Sequence, residues 1–220
     1  MSDDLKAKLF EEILQARQRV YQVGAPTPLQ HWPIAEFPCE LWAKREDLGP
    51  IKAFKWRGAF NAVAAFSPEE RAKGIAAASA GNHAQGVALS ARVLQCRAHI
   101  FMPRSTPEVK QSEVRRHGGD WVEIVLVGDS YDEASAAAKE WAQKHEATYV
   151  HPYDDLVVMG GQGTLADEIV MSGQGPFDRA YVAIGGGGLA ASTALWLKRY
   201  WPHIRVIGVE GVDQASMQLA

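Results

Sequence analysis

Apolar residues recur over the first twenty positions at Leu5, Leu9, Ile13 and Leu14, with charged residues between them and Ser2 just ahead. That spacing marks one face of an amphipathic helix, and a serine at its start is a capping residue. A proline-containing turn at 24–33 leads to a short apolar strand at 41–44. From residue 58 the pattern alternates between short apolar runs and amphipathic stretches. Strands are predicted at 74–79, 96–102, 120–127 and 147–151, with helices starting near Asn82, Pro107 and Ser130. After "HPYDD" the pattern resumes with a helix at 160–171, a strand at 179–186, a helix at 188–200 and a strand at 204–210. Alternation at this spacing predicts βαβ units and a mostly parallel sheet.

No low-complexity linker divides the chain, so Pro152 with Asp154 and Asp155 is the expected return point between two lobes. Residues 58–150 form the expected small α/β lobe, and 1–57 with 151–220 the larger one. The final "GVDQASMQLA" reads as a helix just beginning after a strand, and the expectation is a larger lobe that is incomplete at its C-terminal side.

Composition changes this picture only by exclusion. Lys and Arg number 23 against 26 Asp and Glu, a net charge of −3, which gives no general attraction to nucleic acid or to an anionic membrane. Cys39 and Cys96 are far apart and lack any metal-ligand spacing, which fits a reducing, cytoplasmic setting without a structural metal. The acidic N-terminus has neither the basic start nor the apolar core of a signal peptide, and no stretch is apolar enough to span a bilayer.

Three stretches carry candidate chemistry. In "KAFKWRGAF", Lys55 stands between Phe54 and Trp56. An ammonium so placed either snorkels to water or is kept as a reactive amine. In "AIGGGGLAAS", Gly185, Gly186, Gly187 and Gly188 follow an apolar strand and precede a helix, an arrangement in which inward-turned N–H groups and the helix start suit a phosphate. No Lys follows as in a nucleotide P-loop, and the dinucleotide GxGxxG spacing is absent. In "SAGNHAQGVA", Ser79, Gly81, Asn82 and His83 again fall at a strand-to-helix turn; taken alone, that turn is read as a helix cap using Ser79 or Asn82. The charged run at 44–47 reads as solvated ion pairs, Thr106 as an N-cap before Pro107, and the tryptophans as core residues. Together, an amine beside aromatics, a phosphate cradle and a donor-rich turn are what a phosphorylated aldehyde cofactor requires.

The stretches "KREDLGPIKAFKWRGAFNAV", "SAGNHAQGVA", "MPRSTPEVKQSEVRRHGG", "HPYDDLVVMGGQGTLADEI" and "IGGGGLAAS" resemble the serine/threonine dehydratase family of fold type II pyridoxal-phosphate enzymes, in family order. The resemblance implies a two-lobed, tryptophan synthase β-like, three-layer αβα fold with parallel sheets. It implies that Lys55 forms the Schiff base with pyridoxal 5′-phosphate and moves protons at the substrate Cα. It also implies that Phe54 lies against the ring, that Asn82 bonds the ring hydroxyl, and that Gly185, Gly186, Gly187, Gly188 and Leu189 hold the phosphate. Ser79, Gly81 and His83 match the loop that receives the substrate carboxylate. The implied reaction is dehydration and deamination of L-threonine, and of L-serine, to a 2-oxo acid and ammonia. The implied partners are a small amino-acid substrate and a second copy or complementing chain. Two alternatives stay open: a cofactor-binding or subunit-interaction protein without turnover, and a serine racemase-like enzyme. The sequence departs from the family at Gly49, Ala53 and Trp56, where Gln, Ser and Leu are usual.

Overall fold

In a computed structural model, which describes residues 1–213, 215, 217 and 218, the Ser2 hydroxyl accepts a 3.3 Å hydrogen bond from the Leu5 amide and starts helix α1 (Asp3–Val20). The buried face of α1 is Leu9, Ile13, Ala16 and Val20, whereas Leu5 and Leu14 are exposed. The expected stripe is therefore rotated. The neighbouring helix decides this, because Ile13 seats against a glycine there, Gly163.

The 24–33 segment, expected to be only a turn, contains strand β1 (Leu29–His31). It pairs antiparallel with β2 (Trp42–Lys44), with Leu29 opposite Lys44. A 3₁₀ turn (Glu46–Leu48) leads into α2 (Lys55–Ala65) and the short α3 (Pro68–Ala72), which starts in a Ser67/Glu70 capping box. Then β3 (Ile75–Ala78), α4 (Asn82–Leu94), β4 (Ala98–Met102), α5 (Glu108–Gly118), β5 (Val122–Leu126), α6 (Tyr131–Lys144) and β6 (Thr148–Tyr149) alternate as the sequence pattern predicts. Helix α5 is capped by Pro107 and its first helical residue is Glu108, one position later than expected, so Thr106 is not the cap.

These four strands form one parallel sheet in the order β5-β4-β3-β6. Beneath it Val63, Ile75, Val87, Ile100, Met102 and Val114 pack with α2, α4 and α5; above it Ala76, Ala78 and Phe101 meet Ala134 and Ala138 of α6. Burial on both faces is what makes "IAAA" a strand without polar alternation.

Beyond the sheet come α7 (Leu156–Met171), β7 (Arg179–Ala183), α8 (Gly188–Tyr200) and β8 (Arg205–Val209). β7 and β8 pair in parallel, and Leu9, Ile13, Ala166, Trp196, Leu197 and Ile204 make a second core between α1, α7 and α8. The start of α7 lies four residues ahead of the expected 160 because Asp155 accepts a hydrogen bond from the Val158 amide and caps it. The helix expected to begin within 211–220 falls partly on Gln214, Ser216, Leu219 and Ala220, outside the described residues. Among the described residues no helix is long and apolar enough to cross a membrane, and no cluster of His, Cys, Asp or Glu could hold a metal ion.

Helices α2 and α7 approach at backbone contact. A Cβ on Gly161 would lie 2.5 Å from the Arg57 carbonyl oxygen and 2.7 Å from the Gly58 Cα. In an exposed helix Gly→Ala stabilises by about 1 kcal/mol. Here the atoms in the way are backbone, so Gly161→Ala is expected to destabilise by about 2 kcal/mol. The midpoint of urea unfolding measures this, and a raised midpoint would show that the two helices part without cost.

Candidate active site

Lys55 is the first residue of α2, with Phe54 as its cap. Its Nζ donates a 2.6 Å hydrogen bond to the Pro152 carbonyl and lies 5.5 Å from the centre of the Phe54 ring. The side chain is half-buried, and loss of water alone pulls its pKa down from the ordinary lysine value to about 8. Of the two readings of this lysine, a retained amine fits and a snorkelling one does not.

Helix α4 begins beside it. A Cβ on Gly86 would lie 3.1 Å from the Lys55 carbonyl oxygen and 3.2 Å from the Trp56 Cα, so the first turns of α2 and α4 touch. The expected side-chain cap is not made: Gly81 holds the cap position, and the Ser79 hydroxyl instead accepts a 3.2 Å bond from the Gly81 amide. Asn82 is exposed, and its amide has no protein partner among the described residues. His83 is turned inward. Only 3% of it is exposed, and its Nε2 donates to the Val150 carbonyl at 3.0 Å. Burial depresses its pKa to about 3, so the imidazole is neutral.

The four glycines form the turn from β7 into α8. Gly187 has φ of 84° and caps α8 without a side-chain bond, while the space beside Gly185 is open. Among the described residues, no acceptor within the chain receives the backbone N–H groups of residues 185–189. Unfilled N–H groups at a helix start are a fitting test for a phosphate, and this turn passes it. Gly186 serves packing as well, since the Tyr153 ring occupies the place its Cβ would take, and Gly188 faces the Tyr153 carbonyl, 2.6 Å from where a Cβ would be. Leu189, half-buried, completes the first turn.

Residues 150–155 join these parts. The Val150 carbonyl receives His83, the Pro152 carbonyl receives Lys55, and Tyr153 packs on the glycine turn. His151 Nδ1 accepts from the amides of Tyr153 (3.3 Å) and Asp154 (2.8 Å), which shapes the bend. The sequence marked this stretch only as a return between lobes; the single sign of more was a His, a Pro and two Asp in five residues.

The 44–47 run is not a set of solvated pairs. Arg57 is fully buried and bonds both Glu46 oxygens (2.8 and 2.9 Å) and both Glu168 oxygens (2.5 and 2.9 Å), with Thr164 at 3.0 Å. Lys44 also bonds Glu168, Tyr21 donates to Glu168 at 2.9 Å, and the Glu168 neighbour Asp167 pairs with Arg17. Burial pushes the Glu168 carboxyl up, but Arg57 and Lys44 outweigh it and hold the pKa below the usual carboxylate value. Only Arg45 and Asp47 match the exposed pairing expected.

Two of the departures from the family pattern compensate for each other. Trp56 is fully buried, and a Cβ on Gly49 would lie 2.9 Å from its Nε1, while one on Gly24 would meet its ring at 2.6 Å. The large indole fits because both neighbours lack side chains. Ala53 packs beside the same cluster.

A family model described as pyridoxal-phosphate dependent enzyme matches residues 20–219. The biosynthetic L-threonine dehydratase of Staphylococcus epidermidis is 42% identical over 212 residues, covering 94% of this chain and 50% of that protein. The chloroplastic biosynthetic threonine dehydratase 1 of Solanum lycopersicum is 46% identical over 204 residues, covering 92% of this chain and 33% of that one. The chain thus spans half or less of the length of these relatives. Among solved structures, the processed form of threonine deaminase isoform 2 from Solanum lycopersicum superposes with a TM-score of 0.88 at 39% identity, covering all of this chain and 59% of that one. Maize serine racemase superposes at 0.85 with 32% identity, covering 91% and 60%.

Two outcomes are expected. Trace acetylation by acetic anhydride should modify Lys55 with a midpoint near pH 8, while exposed lysines follow the ordinary value of 10.5; peptide mass spectrometry reads both, and a Lys55 midpoint at the ordinary value would mean a solvated amine. Arg57→Leu should cost about 3–5 kcal/mol in urea unfolding, because Glu46 and Glu168 stay buried without their partner.

Proposed function

The chain belongs to the pyridoxal-phosphate dependent enzyme family, and from that premise we propose that it catalyses the dehydration and deamination of L-threonine, with L-serine as a second substrate. The observation that carries the reading is that one connecting segment, 150–155, touches a half-buried amine of lowered pKa and two helix starts with open N–H groups. The names of the relatives supply the substrate: those matched here in sequence are threonine dehydratases, and serine racemase enters as a structural neighbour.

When bound, pyridoxal phosphate supplies an aldehyde that condenses with amines and a ring that accepts the electron pair left as the Cα–H bond breaks. The chain's own residues do the rest. Lys55 would hold the cofactor through its amine and, when free, would take the substrate Cα proton; a pKa of about 8 leaves a useful neutral fraction at physiological pH. The N–H groups of Gly185, Gly186, Gly187, Gly188 and Leu189 bind the phosphate. Asn82 offers its free amide to the ring hydroxyl, and Phe54 lies beside the amine. Ser79, Gly81 and His83 receive the substrate carboxylate at the start of α4; with the His83 imidazole bonded to Val150, its backbone N–H is the available donor. The α-proton and the β-hydroxyl depart as one water, leaving an enamine that a second water hydrolyses to a 2-oxo acid and ammonia.

The same reading includes the two lobes, 1–57 with 151–220 and 58–150. Lys55 and Pro152 lie at the two points where the chain passes between them, and their hydrogen bond spans the passage. It also includes a cytoplasmic protein with free Cys39 and Cys96, and a second copy or complementing chain. Supporting the last, Tyr181 and Val209 are 62% and 49% exposed on a parallel strand pair, where both faces are ordinarily covered.

The test is an absorbance spectrum with pyridoxal phosphate, borohydride reduction and peptide mapping, followed by a threonine turnover assay. A label on Lys55 and 2-oxo acid formation are expected, with Lys55→Ala lowering turnover about a thousandfold or more. Labels scattered over surface lysines, with no turnover, would sink the reading for this polypeptide.

A further inference from the structure

His83 lies inside the candidate site with its side chain turned away from the open helix start. It is buried, its Nδ1 has no partner among the described residues, and its Nε2–H is spent on a backbone carbonyl. A buried polar side chain with half its capacity unused carries a cost, so the bond it does make must matter to the arrangement. That bond reaches Val150, which is itself fixed on its other side by the Val150 amide donating to Ala76 of β3. Two residues on, the Pro152 carbonyl accepts from the Lys55 amine. Between them His151 folds the chain back by accepting from Tyr153 and Asp154. The path from imidazole to amine is therefore three residues of backbone, Val150 to Pro152, held at each end.

We propose that His83 is a positioning residue: donating from Nε2 to the Val150 carbonyl, it pins the segment that presents the Pro152 carbonyl to the Lys55 amine, and so keeps that amine in its water-poor place. The titratable groups facing His83 are Lys55 from α2 and His151 from the pinned segment, both of which oppose a charge on it. A neutral imidazole adds no positive charge beside an amine that must shed its proton, and its single N–H is directed at one acceptor. As a statement about catalysis this rests on the reading of Lys55 as the cofactor-holding amine; as a statement about where the amine lies it does not.

The experiment compares His83→Leu, which removes the donor at similar volume, with His83→Gln, whose amide nitrogen can reach where Nε2 does, and His83→Asn, whose amide is too short. Circular dichroism checks the fold of each. Trace acetylation with acetic anhydride, across neutral to alkaline pH, then gives the Lys55 midpoint without any cofactor. The expected result is a midpoint near 8 in the parent and in His83→Gln. In His83→Leu and His83→Asn it should climb toward the ordinary lysine value as water reaches the released amine, with at least about tenfold less neutral amine at pH 7. If His83→Leu does not fold, the Gln and Asn variants decide by the same contrast. Equal midpoints in all folded variants, or a climb in His83→Gln as large as in His83→Asn, would overturn the proposal. Labelling the same proteins with pyridoxal phosphate and borohydride separates the two questions: a parent acetylated at Lys55 with a midpoint near 8 but never labelled there by pyridoxal phosphate would remove the cofactor reading and leave the role of His83 standing.

Discussion

The fully buried guanidinium of Arg57 is the constraint on which the site depends. A charge that cannot reach water must be matched in place, and here the matching groups come from three separate stretches: Thr27, Glu46, and Thr164 with Glu168 on α7. Burial alone would pull the guanidinium toward losing its proton; the two carboxylates more than offset this and raise its pKa. Such a cluster is poor evidence for net stability, because apolar residues of the same volume can serve equally well. Its geometric consequence is firmer. All five N–H groups of an arginine lie in one rigid fork, so the partners fix the direction of the first turn of α2. Lys55 is two residues away on that turn, and its position is set before any ligand arrives.

The second constraint is how closely α7 comes to α2. Gly161 and Gly58 allow backbone contact, and that contact brings Glu168, two turns further along α7, within reach of Arg57. Charge and packing therefore specify the same interface. The same economy of side chains recurs around Trp56, where Gly24 and Gly49 make room for an indole that would otherwise push the start of α2 outward.

What the sequence made legible follows from this. Elements whose signals are local are legible: Ser2 as a cap, a helix starting near Ser130, the apolar runs of β3 and β4, the tetraglycine turn. Features decided by distant residues did not. Helix α7 is apolar on all sides and carries Gly160, Gly161 and Gly163, a composition with no periodic face and poor intrinsic helicity, so its first turn was missed. Lys44 and Glu46 read as surface charges because the partners that bury them, Arg57 and Glu168, lie 11 to 124 residues away in sequence. In the site itself, Lys55 and the glycines were legible by residue type. The role of residues 150–155 was not, because it is performed by the carbonyls of Val150 and Pro152, and a backbone acceptor leaves no mark in the choice of side chain.

The three groups this segment gathers share one feature: each stands at the first turn of a helix, Lys55 on α2, His83 on α4 and Gly188 on α8. A helix start carries partial positive charge and unpaired N–H groups. For a phosphate or a carboxylate that is attraction, and two of the three starts are left open to offer it. For an ammonium a helix start offers no such attraction, and burial favours the neutral form of Lys55. The Pro152 carbonyl steadies the amine without placing a full negative charge beside it. A carboxylate in its place would hold the lysine more firmly and protonated, which would suit a structural ion pair and defeat a nucleophile. The acceptor is thus one physical difference between the two lysines of this region: the Glu168 carboxylate at Lys44, whose pKa burial lowers as well, and a backbone carbonyl at Lys55.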